Sequence, residues 1–187
     1  MRVERQTCAR RAAVALILRL LDAGELELLM IERAVYAGDP WSGQVAFPGG
    51  RQEPDDASLE ETAMRETREE TAIDLATRGV ILGRLDELEP RMPVHSNLFP
   101  SSSLPPTIVI TPFVAVADDD VAIVTSPEVA QAFWVSVAAL RDPAAAREVE
   151  LVVRGVPRRV AGYQYGGHVI WGLTERILRQ FLVMLGG

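Results

Sequence analysis

The apolar run Ala12-Ala13-Val14-Ala15-Leu16-Ile17-Leu18 is short and free of glycine and proline, which predicts a buried strand. Asp22-Ala23-Gly24-Glu25 supplies turn residues, and residues 26–31 predict the returning arm of a hairpin. A turn-rich segment, 37–43, leads into Gln44-Val45-Ala46-Phe47, which Pro48-Gly49-Gly50 then breaks. Ser58 followed by Glu61 has the form of a capping box, so a helix is predicted to start at Ser58. Leu59, Ala63 and Ile73 mark its buried stripe. Residues 80–88 read as extended chain.

Residues 89–107 hold five prolines and four serines without periodicity and read as a mobile loop. Ile108-Val109-Ile110 and residues 113–117 predict another strand, with Pro112 marking a sheet edge or a bulge. Asp118-Asp119-Asp120 reads as a solvated turn rather than a metal site. Phe133-Trp134-Val135 is a short strand, and residues 149–153 pair with Arg158-Arg159-Val160 across Gly155-Val156-Pro157. Leu173, Ile177, Leu178, Phe181, Leu182 and Leu185 recur at helical spacing and define a core-packing C-terminal helix. No internal repeat or linker interrupts the pattern, so residues 1–187 are expected to form a single domain.

At 187 residues and 48% hydrophobic, the chain can bury one sizeable core. A formal charge of −7 argues against a general nucleic-acid binder, which needs a basic footprint. The basic residues are arginines, which suit bidentate phosphate contacts and equally suit a GC-rich genome. Cys8 is the single cysteine, so no disulfide forms within the chain and a reducing cytoplasm fits. The apolar run at 12–18 is too short to span a bilayer, and no signal-peptide core follows the charged N-terminus. The expectation is a soluble cytoplasmic protein without membrane or nucleic-acid partners, for which a homodimer is compatible.

The predicted helix carries Glu66, Glu69 and Glu70 at i, i+3 and i+4, within an arc of about 100°. Like charges at that spacing repel, and the repulsion becomes an attraction when a hard cation such as Mg²⁺ sits among the oxygens. The pattern therefore points to metal-dependent phosphate chemistry. Glu60 and Glu61 read as ordinary surface design. Trp134 and Trp171 read as core residues rather than base-stacking platforms. His95 and His168 are isolated and not expected to bind metal, although His95 lies in the long loop within reach of a substrate.

With those residues in view, Phe47-Pro48-Gly49-Gly50 through Ile73 resembles the Nudix box, here about residues 50–73. Arg65, Glu66, Glu69, Glu70 and Ile73 fill its Arg-Glu, Glu-Glu and final apolar positions. The interval from Gly50 to Arg65 is one residue longer than the usual box. Counting forward places Asp56 in the first acidic position, and counting back from Arg65 places Ala57 there. Thr67 stands in an apolar position. Ala72 replaces a glycine, which predicts a different exit from the helix. Further stretches resemble the coenzyme A pyrophosphatase subgroup: Leu28-Leu29 to Glu32-Arg33-Ala34, Gly43-Gln44-Val45-Ala46-Phe47-Pro48-Gly49-Gly50, Pro127-Glu128-Val129 to Phe133-Trp134-Val135, and Ile170-Trp171-Gly172-Leu173-Thr174. The loop Gly38-Asp39-Pro40-Trp41-Ser42 is one residue longer than in that subgroup.

The resemblance implies an α/β fold, a Nudix-type α/β/α sandwich on a mixed β-sheet, with the box helix and the C-terminal helix on opposite faces. It implies a Mg²⁺- or Mn²⁺-dependent pyrophosphatase cleaving a nucleoside diphosphate derivative, with coenzyme A or an acyl-CoA as the expected substrate. Glu66, Glu69 and Glu70 are the expected metal ligands, with one of the three a candidate base instead, and Arg65 orients Glu69. Glu128 is a second candidate base. Arg33 and Arg51 are candidate phosphate contacts, with Gln44, Gly49 and Gly50 completing the substrate wall. ADP-ribose or a dinucleotide as substrate, and a non-catalytic nucleotide-binding module, are the alternatives.

Overall fold

The computed structural model describes residues 10–37, 41–89, 108–153 and 156–186. Cys8, Gly38-Asp39-Pro40, His95 and most of the proline-rich stretch lie outside the described residues. Strands β1 (Arg10–Leu20) and β2 (Leu26–Arg33) form the expected hairpin, with Leu18 opposite Leu28 and Gly24 in the turn at φ +78°. Beyond Leu18 and Leu28 the two strands part. Strand β3 (Val45–Ala46) takes up pairing with β2, and β4 (Gly49–Arg51) pairs with β1, placing Gly50 opposite Ala13.

The expected break at Pro48-Gly49-Gly50 is thus a wedge between diverging strands, fastened by the Ala15 N–H on the Pro48 carbonyl at 2.8 Å. Gly49 sits at φ +153°, and a Cβ there would lie 2.3 Å from the Ala13 carbonyl oxygen and 2.6 Å from Val14 Cα. Only glycine fits so close to a neighbouring backbone.

Helix α1 (Leu59–Thr71) and the short α2 (Leu75–Arg78) follow, then β5 (Gly79–Arg84), β6 (Ile108–Ala117) and β7 (Val129–Ser136). Strand β6 runs parallel to β1, whereas β5 is antiparallel to β6 and β7 to β2, so the central sheet is mixed. Pro112 lies in the middle of β6, a strand flanked on both sides, and not at a sheet edge. Its carbonyl accepts from Leu85 N–H at 2.9 Å, so its missing N–H faces the β5 side beyond Arg84. The β5 register slips nearby, between Ile81 and Gly83 opposite Ala115 and Val114, and β5 ends at Arg84, opposite Phe113. The sheet edge that Pro112 raised is therefore absent, and the irregularity in the ladder lies on β5, near Pro112 and not at it.

Alternation along β1 divides the core. Ala13, Ala15 and Ile17 face one side with Leu29, Phe113, Ala63 of α1 and Ile73. Ala12, Leu16 and Leu18 face the other with Leu28, Met30, Val114 and Ile177, Leu178 and Phe181 of the C-terminal helix α4 (Gly172–Gly186). The box helix and α4 therefore cover opposite faces of the sheet, as expected of an α/β/α sandwich.

Helix α3 (Val137–Arg141) leads to a second, three-stranded sheet of β8 (Ala146–Val153), β9 (Val156–Tyr165) and β10 (His168–Trp171). The hairpin of β8 and β9 is longer than the pattern predicts, with Val153 paired to Val156, so Val156 and Pro157 belong to a strand and not to the turn. This sheet docks on the central one through the His168 ring stacked on Phe133 at 4.2 Å, and the start of α4 that follows it is tied to β3 by the Thr174 hydroxyl donating to the Val45 carbonyl at 3.0 Å. Among the described residues, no helix is long and apolar enough to cross a membrane.

Candidate active site

Helix α1 starts where Ser58 Oγ accepts from Glu61 N–H at 3.1 Å. The Glu61 carboxylate reaches back past the cap to the Ala57 N–H at 2.7 Å, a capping box extended by one residue. Thr62, Ala63, Thr67 and Thr71 are buried against the sheet, so Thr67 occupies its apolar position as a buried residue. At the other end Ala72 adopts φ 61°, ψ 8°, and its N–H bonds to the Arg68 carbonyl at 2.9 Å. The expectation of a different exit is overturned: the left-handed cap is kept without its glycine. Ile73, 2% exposed, enters the core directly after that turn.

Arg65 is the hub of the exposed face. Its guanidinium grips Asp56 with both oxygens, Nε to Oδ1 at 2.9 Å and Nη2 to Oδ2 at 3.0 Å. Asp56 also accepts from Glu53 N–H and from the Thr62 hydroxyl, each at 2.9 Å. The Arg65 bond holds its carboxyl well below the usual range, against the opposing effect of burial. Asp56, not Ala57, is therefore the carboxylate paired with the helix arginine. Arg65 Nη1 further donates to Glu66 Oε1 and to Glu69 Oε2, both at 3.0 Å, and Nη2 to the Arg51 carbonyl at 3.1 Å. The pairing with Glu69 was expected; those with Asp56 and Glu66 had no signal in local spacing.

The three carboxylates differ in setting. Glu69 is 54% exposed, the Glu66 side chain 17%, and Glu70 only 4%. Glu70 Oε2 accepts from the Gly49 N–H at 2.9 Å. Burial pushes its carboxyl up to about 7, helped by the charges of Glu66 and Glu128 and opposed by the Gly49 amide and by Arg33. Glu66 is raised too, first by burial, with Arg65 opposing. Gly50 packs so close that a Cβ would lie 2.3 Å from Glu66 Oε1. The glycine pair thus makes room for carboxylates, and the Gly49 amide is turned to Glu70.

Glu128 enters on segment 126–128. Ser126 N–H donates to the Glu70 carbonyl at 3.1 Å, and the Glu128 carbonyl accepts from Ala34 N–H at 2.8 Å. Its charge is felt at both Glu66 and Glu70, as is that of Arg33 at Glu70. The structure thus gathers Glu66, Glu69, Glu70, Arg65, Gly49, Gly50, Arg33 and Glu128 at one end of α1. Arg51 contributes a backbone carbonyl to Arg65 and leaves its side chain exposed. Gln44 is tied by its carbonyl to the Arg33 N–H at 3.1 Å, one step removed from the helix. Trp134 lies under the Arg19 guanidinium and Trp171 in β10, while Asp118 and Asp120 clasp Arg78 in a turn.

Among the described residues these side chains do not close into a three-carboxylate cluster: Glu66 and Glu69 lean on Arg65, and Glu70 on Gly49. Their chemistry nevertheless fits a hard divalent cation, which takes carboxylate oxygens. Glu70 makes the stronger case. A buried carboxylate, compensated by one backbone amide and beside two further negative charges, is costly to ionise until a cation joins it.

Comparison with known proteins agrees with the geometry. The sequence profile of the NUDIX domain matches residues 9–154. The chain is 32% identical over 171 residues to the uncharacterized Nudix hydrolase NudL of Yersinia pestis, a match spanning 91% of this chain and 77% of NudL. In fold it is similar to a C. elegans Ap4A hydrolase, with a TM-score of 0.57 and 19% identity over 96% of this chain and 99% of that one. It is also similar to the NUDIX domain of Shewanella oneidensis NrtR, solved in complex with ADP ribose, with a TM-score of 0.51 and 21% identity over 70% and 75% of the two chains. The chain belongs to the Nudix hydrolases, enzymes that use divalent cations and act on pyrophosphate bonds of nucleotide derivatives.

Proposed function

We propose that this Nudix hydrolase cleaves the diphosphate of coenzyme A or an acyl-CoA, yielding adenosine 3′,5′-bisphosphate and the corresponding 4′-phosphopantetheine. The observation that carries the chemistry is the buried Glu70 on the Gly49 amide, flanked by Glu66 and Glu128. The substrate reading is supported by the resemblance of residues 28–34, 43–50, 127–135 and 170–174 to the coenzyme A pyrophosphatases. Residues 1–187 then act as one catalytic domain.

In this reading Glu66, Glu69 and Glu70 hold Mg²⁺ or Mn²⁺. Such a cation, when bound, polarises a phosphoryl oxygen and lowers the pKa of water. Arg65 keeps the Glu66 and Glu69 carboxylates aimed by gripping them from the side, with Asp56 as its anchor. Arg33 and Arg51 offer guanidinium groups to the remaining phosphate oxygens. Gly49 and Gly50 keep the wall beside the carboxylates low enough for a diphosphate, and Gln44 borders it. Water attacks one phosphorus, its proton passes to Glu128, and the bond from that phosphorus to the bridging oxygen breaks.

The test is a substrate panel. Purified protein with Mg²⁺ or Mn²⁺ is offered coenzyme A, acetyl-CoA, ADP-ribose, a diadenosine polyphosphate and nucleoside triphosphates. Release of adenosine 3′,5′-bisphosphate from coenzyme A, faster than cleavage of the other compounds, is the expected result. Turnover of another compound with coenzyme A untouched rejects the substrate assignment and leaves the metal chemistry standing. Tight nucleotide binding without turnover on any of them identifies a binding module instead.

A further inference from the structure

Tyr36 follows β2 just ahead of the turn-rich segment 37–43. Its backbone is closed on Ser42, whose Oγ accepts from the Tyr36 N–H at 3.0 Å and donates to the Tyr36 carbonyl at 2.9 Å. The residue is 50% exposed, so it is not part of the core. Yet its hydroxyl donates to the Pro127 carbonyl at 2.8 Å, across 91 positions of sequence and one residue before Glu128.

Segment 126–128 is held from two sides. From one side, Ala34 N–H bonds the Glu128 carbonyl at 2.8 Å and Tyr36 bonds that of Pro127. From the other, Ser126 N–H bonds the Glu70 carbonyl at 3.1 Å. Within the segment Ser126 Oγ accepts from Glu128 N–H at 3.3 Å. The chain carrying Glu128 is thereby suspended between the end of β2 and the carboxylate helix. Of these ties, the Tyr36 hydroxyl is the one made by a side chain from outside the segment. It can therefore be removed without touching a backbone.

We infer that Tyr36 is a positioning residue for the hydrolysis: its hydroxyl on the Pro127 carbonyl holds the Glu128 carboxylate in place beside Glu66 and Glu70. The inference rests on the proposed role of Glu128 as proton acceptor. A group that takes a proton in the reaction must stand within hydrogen-bond reach of the attacking water, and small displacements are costly. A substrate-binding role for Tyr36 would act on KM, whereas a positioning role acts on kcat.

A double-mutant cycle decides it, with kcat and KM measured for wild type, Tyr36→Phe, Glu128→Gln and the double variant on whichever compound of the panel is hydrolysed. Phenylalanine keeps the ring and its packing, and melting temperatures of all four proteins verify the fold. The expectation is that Tyr36→Phe lowers kcat about threefold to tenfold, the worth of one hydrogen bond, with KM within about twofold of wild type. Glu128→Gln lowers kcat about a hundredfold or more, and adding Tyr36→Phe to it changes nothing further. The inference is overturned if Tyr36→Phe turns over like wild type, raises KM alone, or lowers kcat by the same factor in both backgrounds. If Glu128→Gln itself retains full kcat, the proton-acceptor role fails first and the inference with it. An impaired Glu128→Gln beside an unaffected Tyr36→Phe sinks the inference alone.

Discussion

Glu70 concentrates the cost of the site in one side chain. Its carboxyl is raised from an ordinary 4.5 to about 7, chiefly by burial. A carboxyl with a folded value above its unfolded one binds its proton more tightly when folded. In the metal-free protein the penalty is absent below about pH 4.5, grows as pH rises, and is complete above about pH 7, reaching on the order of 3 kcal/mol. With chelator present, wild type should therefore lose stability relative to Glu70→Gln as pH is raised from about 5 to 8. Parallel melting-temperature profiles for the two proteins would contradict this. Asp56 has the opposite sign: its lowered value contributes stability that is lost only in strong acid, so it does not blur the comparison. Ala72 is a second residue under strain, an alanine at φ 61°. Ala72→Gly relieves the left-handed penalty and should raise unfolding free energy in urea by about 1 kcal/mol, with turnover unchanged. A destabilised Ala72→Gly would show that the cap geometry is wrong.

At the scale of elements, the packing of β4 against α1 makes the site, and the two glycines separate fold from function. At Gly49 an added Cβ meets the backbone of β1, which cannot move, whereas at Gly50 it meets the tip of Glu66. Gly49→Ala should cost more than about 2 kcal/mol of stability. Gly50→Ala should fold normally yet bind Mn²⁺ about ten- to hundredfold more weakly, as read by calorimetric titration. Equal losses of stability in both would refute this division. Much of this scale was legible beforehand. The carboxylate face of α1 and the apolar stripe of α4 follow from helical period, which is local. The β4 strand was not legible, because Pro48-Gly49-Gly50 carries only turn signals and its pairing is supplied by β1, 37 positions away at Gly50 and Ala13. Pro112 misled in part for the same reason, since the neighbours that flank it belong to β1 and β5, distant in sequence.

For the whole molecule, the sheet places α1 on one face and α4 on the other, and the parting of β1 and β2 opens the wedge in which the carboxylates meet their glycines. Family membership was readable because the box gathers Arg65, Glu66, Glu69 and Glu70 in one short stretch. Contributions from distant chain were harder to read. Asp56 was ambiguous by counting, and its two bonds to Arg65 join positions nine apart that helical period does not pair. Tyr36 left no trace, because its partner is a backbone carbonyl 91 positions on. The central claim is that the α1 carboxylates carry a divalent cation for pyrophosphate hydrolysis. Its most direct test is the rate of pyrophosphate cleavage, on the compound that the panel selects, by wild type and Glu70→Gln in Mg²⁺ or Mn²⁺ and in EDTA. The account predicts that wild type is active only with the divalent ion. It also predicts that Glu70→Gln, with an unaltered fold by circular dichroism, loses at least about a hundredfold in kcat. Full wild-type activity in EDTA, or a Glu70→Gln enzyme as fast as wild type, would contradict it.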